Sequence, residues 1–138
     1  MKNVLAIITL LLSIAFIHSC KKDPTIVCEP DPRRPALGTF SMIDSVFFLN
    51  TFNDTVHYDL VIRLDTLTGD TILLENMFNF SIDLKAVYSS ANGSFVIPPQ
   101  MDDDALVSGI GTISGNNISY TAAYDDDGYS FIGAGQKN

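Results

Sequence analysis

Cysteine and histidine are nearly absent: Cys20 and Cys28, His18 and His57 are the only ones among 138 residues. That excludes a disulfide framework for the chain. His57 is the only histidine beyond the N-terminal stretch, and one His with a lone Cys28 does not make a closed zinc site. No Gly-x-Ser-x-Gly or comparable nucleophile motif accompanies His57, so nothing points to a serine hydrolase, and the chain reads as a non-enzyme. Basic residues are few, 8 Lys and Arg against 16 Asp and Glu, for a formal charge of −8. Phosphate backbones demand Lys and Arg, so nucleic acid is excluded as a partner, whereas cations and basic proteins remain. Helical periodicity is missing too, and only one long apolar run occurs, near the start.

That run extends from Val4 to Ile17, behind Lys2 and ahead of Ser19 and Cys20. A basic start, an apolar middle and a small residue at the end form an export signal over residues 1–19, cleaved after Ser19. A retained membrane helix is the alternative, but a bilayer core asks for about 20 apolar residues and the run is shorter. Loss of Lys2 with the signal moves the formal charge from −8 to −9.

Ile17-His18-Ser19-Cys20 resembles the lipobox of bacterial lipoproteins: a branched aliphatic residue, a variable position, a small residue and an obligatory Cys. His18 departs from the Ala, Ser, Thr or Val usual at the variable position. The resemblance implies a diacylglycerol thioether on the Cys20 sulfur and an acyl chain such as palmitate on its freed amine. At about 0.8 kcal/mol per buried methylene, two or three chains anchor a protein stably where one would not. Cys-Lys-Lys-Asp at residues 20–23 is similar to the start of mature Bacteroidota-type lipoproteins. The implied location is the cell envelope, on the outer membrane, with the periplasmic and surface faces both open.

Residues 20–37 read as a flexible tether, because Pro24, Pro30, Pro32 and Pro35 hold the chain extended and interrupt any sheet ladder. Cys28, inside it, reads as an incidental thiol, with an intermolecular disulfide as the sharper alternative.

Residues 38–138 read as one all-β domain. Val56, Tyr58, Leu60, Ile62 and Leu64 alternate with His57, Asp59, Val61, Arg63 and Asp65. Ile82 to Tyr88 and Ile118 to Tyr124 repeat the period of two, which is the signature of antiparallel strands with one face on a core. Weaker strands are predicted over Thr39–Leu49, Thr71–Met77, Ser94–Ile97, Leu106–Ser114 and Tyr129–Ala134. Turns are predicted at Asn53-Asp54, Thr68-Gly69-Asp70, Ala91-Asn92-Gly93, Gly115-Asn116-Asn117 and Asp125 to Gly128. Short connections favour an up-and-down meander of about eight strands curling into a small barrel, with a β-sandwich as the alternative. Gly109, Gly111, Gly115, Gly133 and Gly135 are expected at bulges and barrel corners. Eight phenylalanines, Phe40, Phe47, Phe48, Phe52, Phe78, Phe80, Phe95 and Phe131, are expected to fill the core. Gly38-Thr39-Phe40 is similar to the Gly-x-Trp signature of lipocalins, with Phe for Trp, and small Bacteroidota lipoproteins open a β-meander with a like strand. The resemblance implies a lipocalin-like barrel and carries no ligand with it.

Two aspartate triplets stand out, Asp102-Asp103-Asp104 and Asp125-Asp126-Asp127. Crowded carboxylates in loops can hold calcium, and Asp125, Asp126 and Asp127 are the candidates, although their spacing fails the EF-hand pattern and polar turns collect Asp without a metal. No cofactor is called for. Asp44 falls on the otherwise apolar face of Phe40, Met42, Val46 and Phe48, so it is either buried or set aside by a bulge. The sequence therefore predicts a lipid-anchored binding or accessory module for a protein, a glycan or a small apolar ligand. The alternative is an inhibitor or immunity-type lipoprotein that blocks a basic enzyme such as lysozyme.

Overall fold

The computed structural model describes residues 30–67, 69–125 and 127–138. A single-turn 3-10 helix, Arg34–Ala36, leads into eight strands: β1 Gly38–Phe48, β2 Thr51–Leu64, β3 Thr71–Met77, β4 Ile82–Ser89, β5 Ser94–Asp102, β6 Ala105–Ser114, β7 Asn117–Tyr124 and β8 Tyr129–Lys137. Each strand pairs antiparallel with the next, and β8 returns to β1 from Phe40↔Lys137 to Phe48↔Tyr129, closing an up-and-down barrel. Closure leaves no sheet edge to cover.

The strong alternations produce the inner face as expected: Tyr58, Leu60 and Ile62, then Leu84, Ala86 and Tyr88, then Ile118, Tyr120, Ala122 and Tyr124 are all buried. Several expectations need correction. The first turn falls at Leu49 and Asn50, whose φ values are positive, and Asn53-Asp54 lies inside β2. Strand β5 runs on past Ile97 through two prolines, with a register shift between Ile97 and Gln100. Of the eight phenylalanines only Phe40, Phe78, Phe95 and Phe131 are buried, while Phe48, Phe52 and Phe80 are exposed. The compact unit begins at Asp31 and not at Gly38, because Arg33 and Ala36, placed in the tether by their neighbouring prolines, are buried against the barrel.

Of the five glycines expected at bulges and corners, Gly109, Gly111, Gly133 and Gly135 supply room, and Gly115 sits at positive φ in the turn after β6. One girdle of register partners runs Phe95, Gly111, Tyr120, Gly133, Asp44 around four adjacent strand pairs. A Cβ on Gly111 would fall 2.3 Å from the Phe95 ring, and one on Gly133 would fall 2.3 Å from the Tyr120 ring. Large side chains thus lie over glycines on the neighbouring strands, which lets rings pack closely inside a narrow barrel.

Antiparallel order sorts the connections between two ends. The turns after β2, β4 and β6 share one end with the 3-10 helix, and the turns after β1, β3, β5 and β7 share the other. The first end is stoppered. Arg33 donates to the carbonyls of Asp65 at 3.0 Å and Thr71 at 2.7 Å, and pairs with Asp31 at 2.7 Å. That ion pair holds the Asp31 carboxyl down at about 2.

Candidate functional site

The second end is open, and its floor is built by the β3–β4 connection. Phe78, Asn79 and Ser81 there, and Asn76 at the irregular end of β3, all adopt positive φ, a conformation that costs non-glycine residues about 1 kcal/mol or more each. The bend turns Phe78 inward until it is 1% exposed, with its ring 4.3 Å from Phe131, 5.9 Å from Tyr120 and 5.7 Å from Tyr124. Burial of one aromatic ring and its edge contacts offsets the strain.

Beneath Phe78 lies a polar trio. The hydroxyls of Tyr58 and Tyr120 are 2.8 Å apart, and both donate to Oδ2 of Asp44. The ring of Tyr120, a member of the trio, packs against Phe78 at 5.9 Å and so connects the trio to the floor. Asp44 is fully buried on unbroken register, opposite Val56 and Gly133, and the bulge of β1 falls later, between Val46 and Phe47. Burial pushes its carboxyl up, against the two phenol hydrogen bonds, and Oδ1 has no hydrogen-bond partner. Both phenols are pushed up by burial as well, so they remain neutral donors.

Above Phe78 the barrel mouth forms a cup of about 660 Å³. Phe80, Tyr124, Tyr129 and Phe131 give it aromatic walls, and Asp54, Asp102, Asp103, Asp104 and Asp127 surround them. The Tyr124 hydroxyl donates to Oδ2 of Asp102 at 2.6 Å, and burial together with that carboxylate pushes the phenol up. Exposed aromatics continue over the rim: Phe48 lies 5.0 Å from Tyr129, and Phe52 packs edge-on to Phe47. Apolar surface of this kind, bordered by charge, marks interaction sites on soluble proteins.

Charge is divided between the ends. The described cations are Arg33, Arg34, Arg63, Lys85 and Lys137, and none lines the cup. Arg33 and Arg34 belong to the stoppered end, Lys137 ends β8 there, and Lys85 reaches Asp65 at 3.3 Å. Arg63 pairs with Glu75.

The described aspartates of both triplets thus fall at one end, because they sit at or just after the last residue of an odd-numbered strand. Asp127 lines the cup, Asp125 is exposed in the turn after β7, and Asp126 lies outside the described residues. Among the described residues no group of three or more His, Cys, Asp or Glu side chains is placed to hold a metal ion. Ser19 and Cys20, the cleavage and lipidation residues, lie outside the described residues, as does Cys28. His57 is exposed on the outer wall near Ser41 and Asp59, but the Ser41 hydroxyl donates directly to Asp59 at 2.9 Å, which is not the order of a hydrolytic triad. Sequence reasoning missed Phe80, Tyr124 and Asp54 as site residues, since nothing in a linear pattern separates a mouth aromatic from a core one.

These features define a closed eight-stranded barrel with one stoppered end and one open, acidic, aromatic-walled end. No protein family, curated protein or solved structure matches this chain.

Proposed function

We propose that the protein is a lipid-anchored lipoprotein of the cell envelope, on the outer membrane, acting as a non-enzymatic binding module whose binding face is the open barrel end. One observation carries this reading: exposed aromatics and aspartates that form no ion pair among the described residues gather at the end opposite to the one where the chain enters the barrel through Asp31–Ala36. A lipid on Cys20 would draw the stoppered end toward the bilayer and present the cup away from it. The interior is filled by side chains such as Phe40, Leu60, Leu74 and Phe95, so the ligand is sought at the mouth and not inside the barrel. The test is metabolic labelling with palmitate, followed by chemical footprinting of the anchored protein. Label that vanishes in Cys20→Ala, with Asp103 and Tyr129 reactive and Arg34 shielded, supports the reading. Label that survives Cys20→Ala, or the reverse footprint, overturns it.

The charge division favours a second reading, an inhibitor or immunity-type lipoprotein that blocks a basic enzyme such as lysozyme. Attraction of this type weakens as salt screens it over a Debye length of about 8 Å at physiological ionic strength. Inhibition of lysozyme that fades with salt and disappears in Asp103→Lys would support this role; no inhibition at low salt would overturn it.

A further inference from the structure

We propose that the cup takes an organic cation, an ammonium group carried on a short aliphatic stem. This inference rests on the open end being the binding face and names the ligand chemistry that fits it. A volume of about 660 Å³ lies within the range of small-molecule sites, about 300 to 1,000 Å³, and is far more than a bare ion needs. The walls are lined by Phe80, Tyr124, Tyr129 and Phe131, together with Val46 and Ile82. An alkyl stem is desolvated favourably on such a surface, and the negative faces of aromatic rings attract an ammonium.

The carboxylates set the sign. Three ion pairs exist among the described side chains, Arg33–Asp31, Arg63–Glu75 and Lys85–Asp65, and none involves an aspartate of the cup. Among the described residues, then, no cation compensates the rim charges, and a concave, low-dielectric wall concentrates their field on whatever enters. An anionic ligand would be repelled. A neutral apolar ligand would strip water from Asp102 without replacing it.

A metal ion fits less well than an organic one. One oxygen of Asp102 already accepts from Tyr124, ring carbons ligate nothing, and the described carboxylates do not converge in a group of three. Tyr124 acts here as a positioning residue: its neutral hydroxyl holds Oδ2 of Asp102 in place and leaves the other oxygen to meet the ammonium.

The test uses the mature chain carrying Cys20→Ala and three probes of one stem length: hexylammonium, hexanol and hexanoate. Binding is followed by calorimetry and by NMR shifts. Hexylammonium should bind at least about tenfold more tightly than hexanol, with hexanoate weaker still, and its affinity should fall with added salt. Phe80→Leu, at an exposed position, should weaken hexylammonium by about threefold while leaving hexanol nearly unchanged, the signature of a cation on a ring face. Asp102→Asn should remove most of the preference for the cation. Equal binding of hexylammonium and hexanol, or no binding of hexylammonium, overturns the proposal.

The shifts separate this proposal from the reading beneath it. Shifts from hexylammonium at Phe80, Tyr129 and Asp103 support both, whereas shifts confined to the stoppered end overturn both. If hexylammonium does nothing while lysozyme still shifts the mouth residues, the open-end reading stands and the ammonium proposal falls. Where hexylammonium binds, displacement by lysozyme assigns the ammonium to lysine side chains of a protein, and lack of displacement assigns it to a free amine.

Discussion

The Tyr58 hydroxyl donates to Oδ2 of Asp44 across 3.0 Å in the barrel interior, where the carboxyl is closed off from bulk solvent. Two phenols serve one oxygen while the other stays unpartnered, so the site solvates a carboxylate poorly and a neutral acid better.

Stability should therefore depend on pH through Asp44. Burial raises its carboxyl above the ordinary 3.8, so the folded state keeps a proton that the unfolded chain has released. In that window the folded state binds more protons, and stability falls as the pH rises from 3.8 to the raised value, then levels off. Asp44→Asn should remove this slope, with little effect near pH 4 and a gain over the native protein near neutrality. Urea unfolding at about pH 4 and about pH 7 checks both the sign and the flattening.

Arg33→Ala should cost about 3 kcal/mol, because the carbonyls of Asp65 and Thr71 lose their guanidinium donor. Arg33→Lys should recover only part of this, since an ammonium cannot span two carbonyls and Asp31 at once. The same staple is acid-sensitive. Asp31 is depressed to about 2, so its contribution is complete above the ordinary 3.8 and is lost as the pH falls through about 2. Thermal midpoints of the three proteins at neutral pH, and hydrogen exchange of Leu37 in acid, are the measurements.

Gly133→Ala should destabilise by about 1–3 kcal/mol, since the new methyl would lie 2.3 Å from the Tyr120 ring and 2.4 Å from Asp44 Oδ1. Gly69→Ala, with nothing within 4 Å of the new carbon, should stay within about 0.5 kcal/mol. Equal effects at the two positions would show that the girdle is not tightly packed.

Phe78→Ala should cost about 3–5 kcal/mol through loss of a fully buried ring. Phe52→Ala, at a ring that is 58% exposed, should change stability little. Denaturant midpoints for the pair distinguish a structural floor from a functional rim.

Much of this architecture was legible beforehand. Tyr58 to Ile62, Leu84 to Tyr88 and Ile118 to Tyr124 alternate so regularly that inner and outer faces could be assigned from order alone, because a strand has no other way to bury half its side chains. The aspartate triplets were visible as clusters, but the meeting of Asp102, Asp103 and Asp104 with Asp127 at one mouth depended on strand parity and closure. Arg33 was hidden among prolines that read as tether, and its burial depends on carbonyls 32 and 38 residues away. Phe78 and Phe80 are two residues apart and chemically identical, yet one is the floor and the other the rim. The positive φ of Phe78 itself and of Asn79 beside it breaks the alternation that would otherwise put the two rings on one face.

Strand content, the period of two, the acidic balance and the lipobox-like stretch are local properties, carried by neighbours in the chain and by composition. Barrel closure, the stoppered end, the polar trio on Asp44 and the acid-rimmed cup are relations between residues tens of positions apart. They are decided by tertiary structure because register and closure fix which side chains share the axis, and local preference is indifferent to that choice.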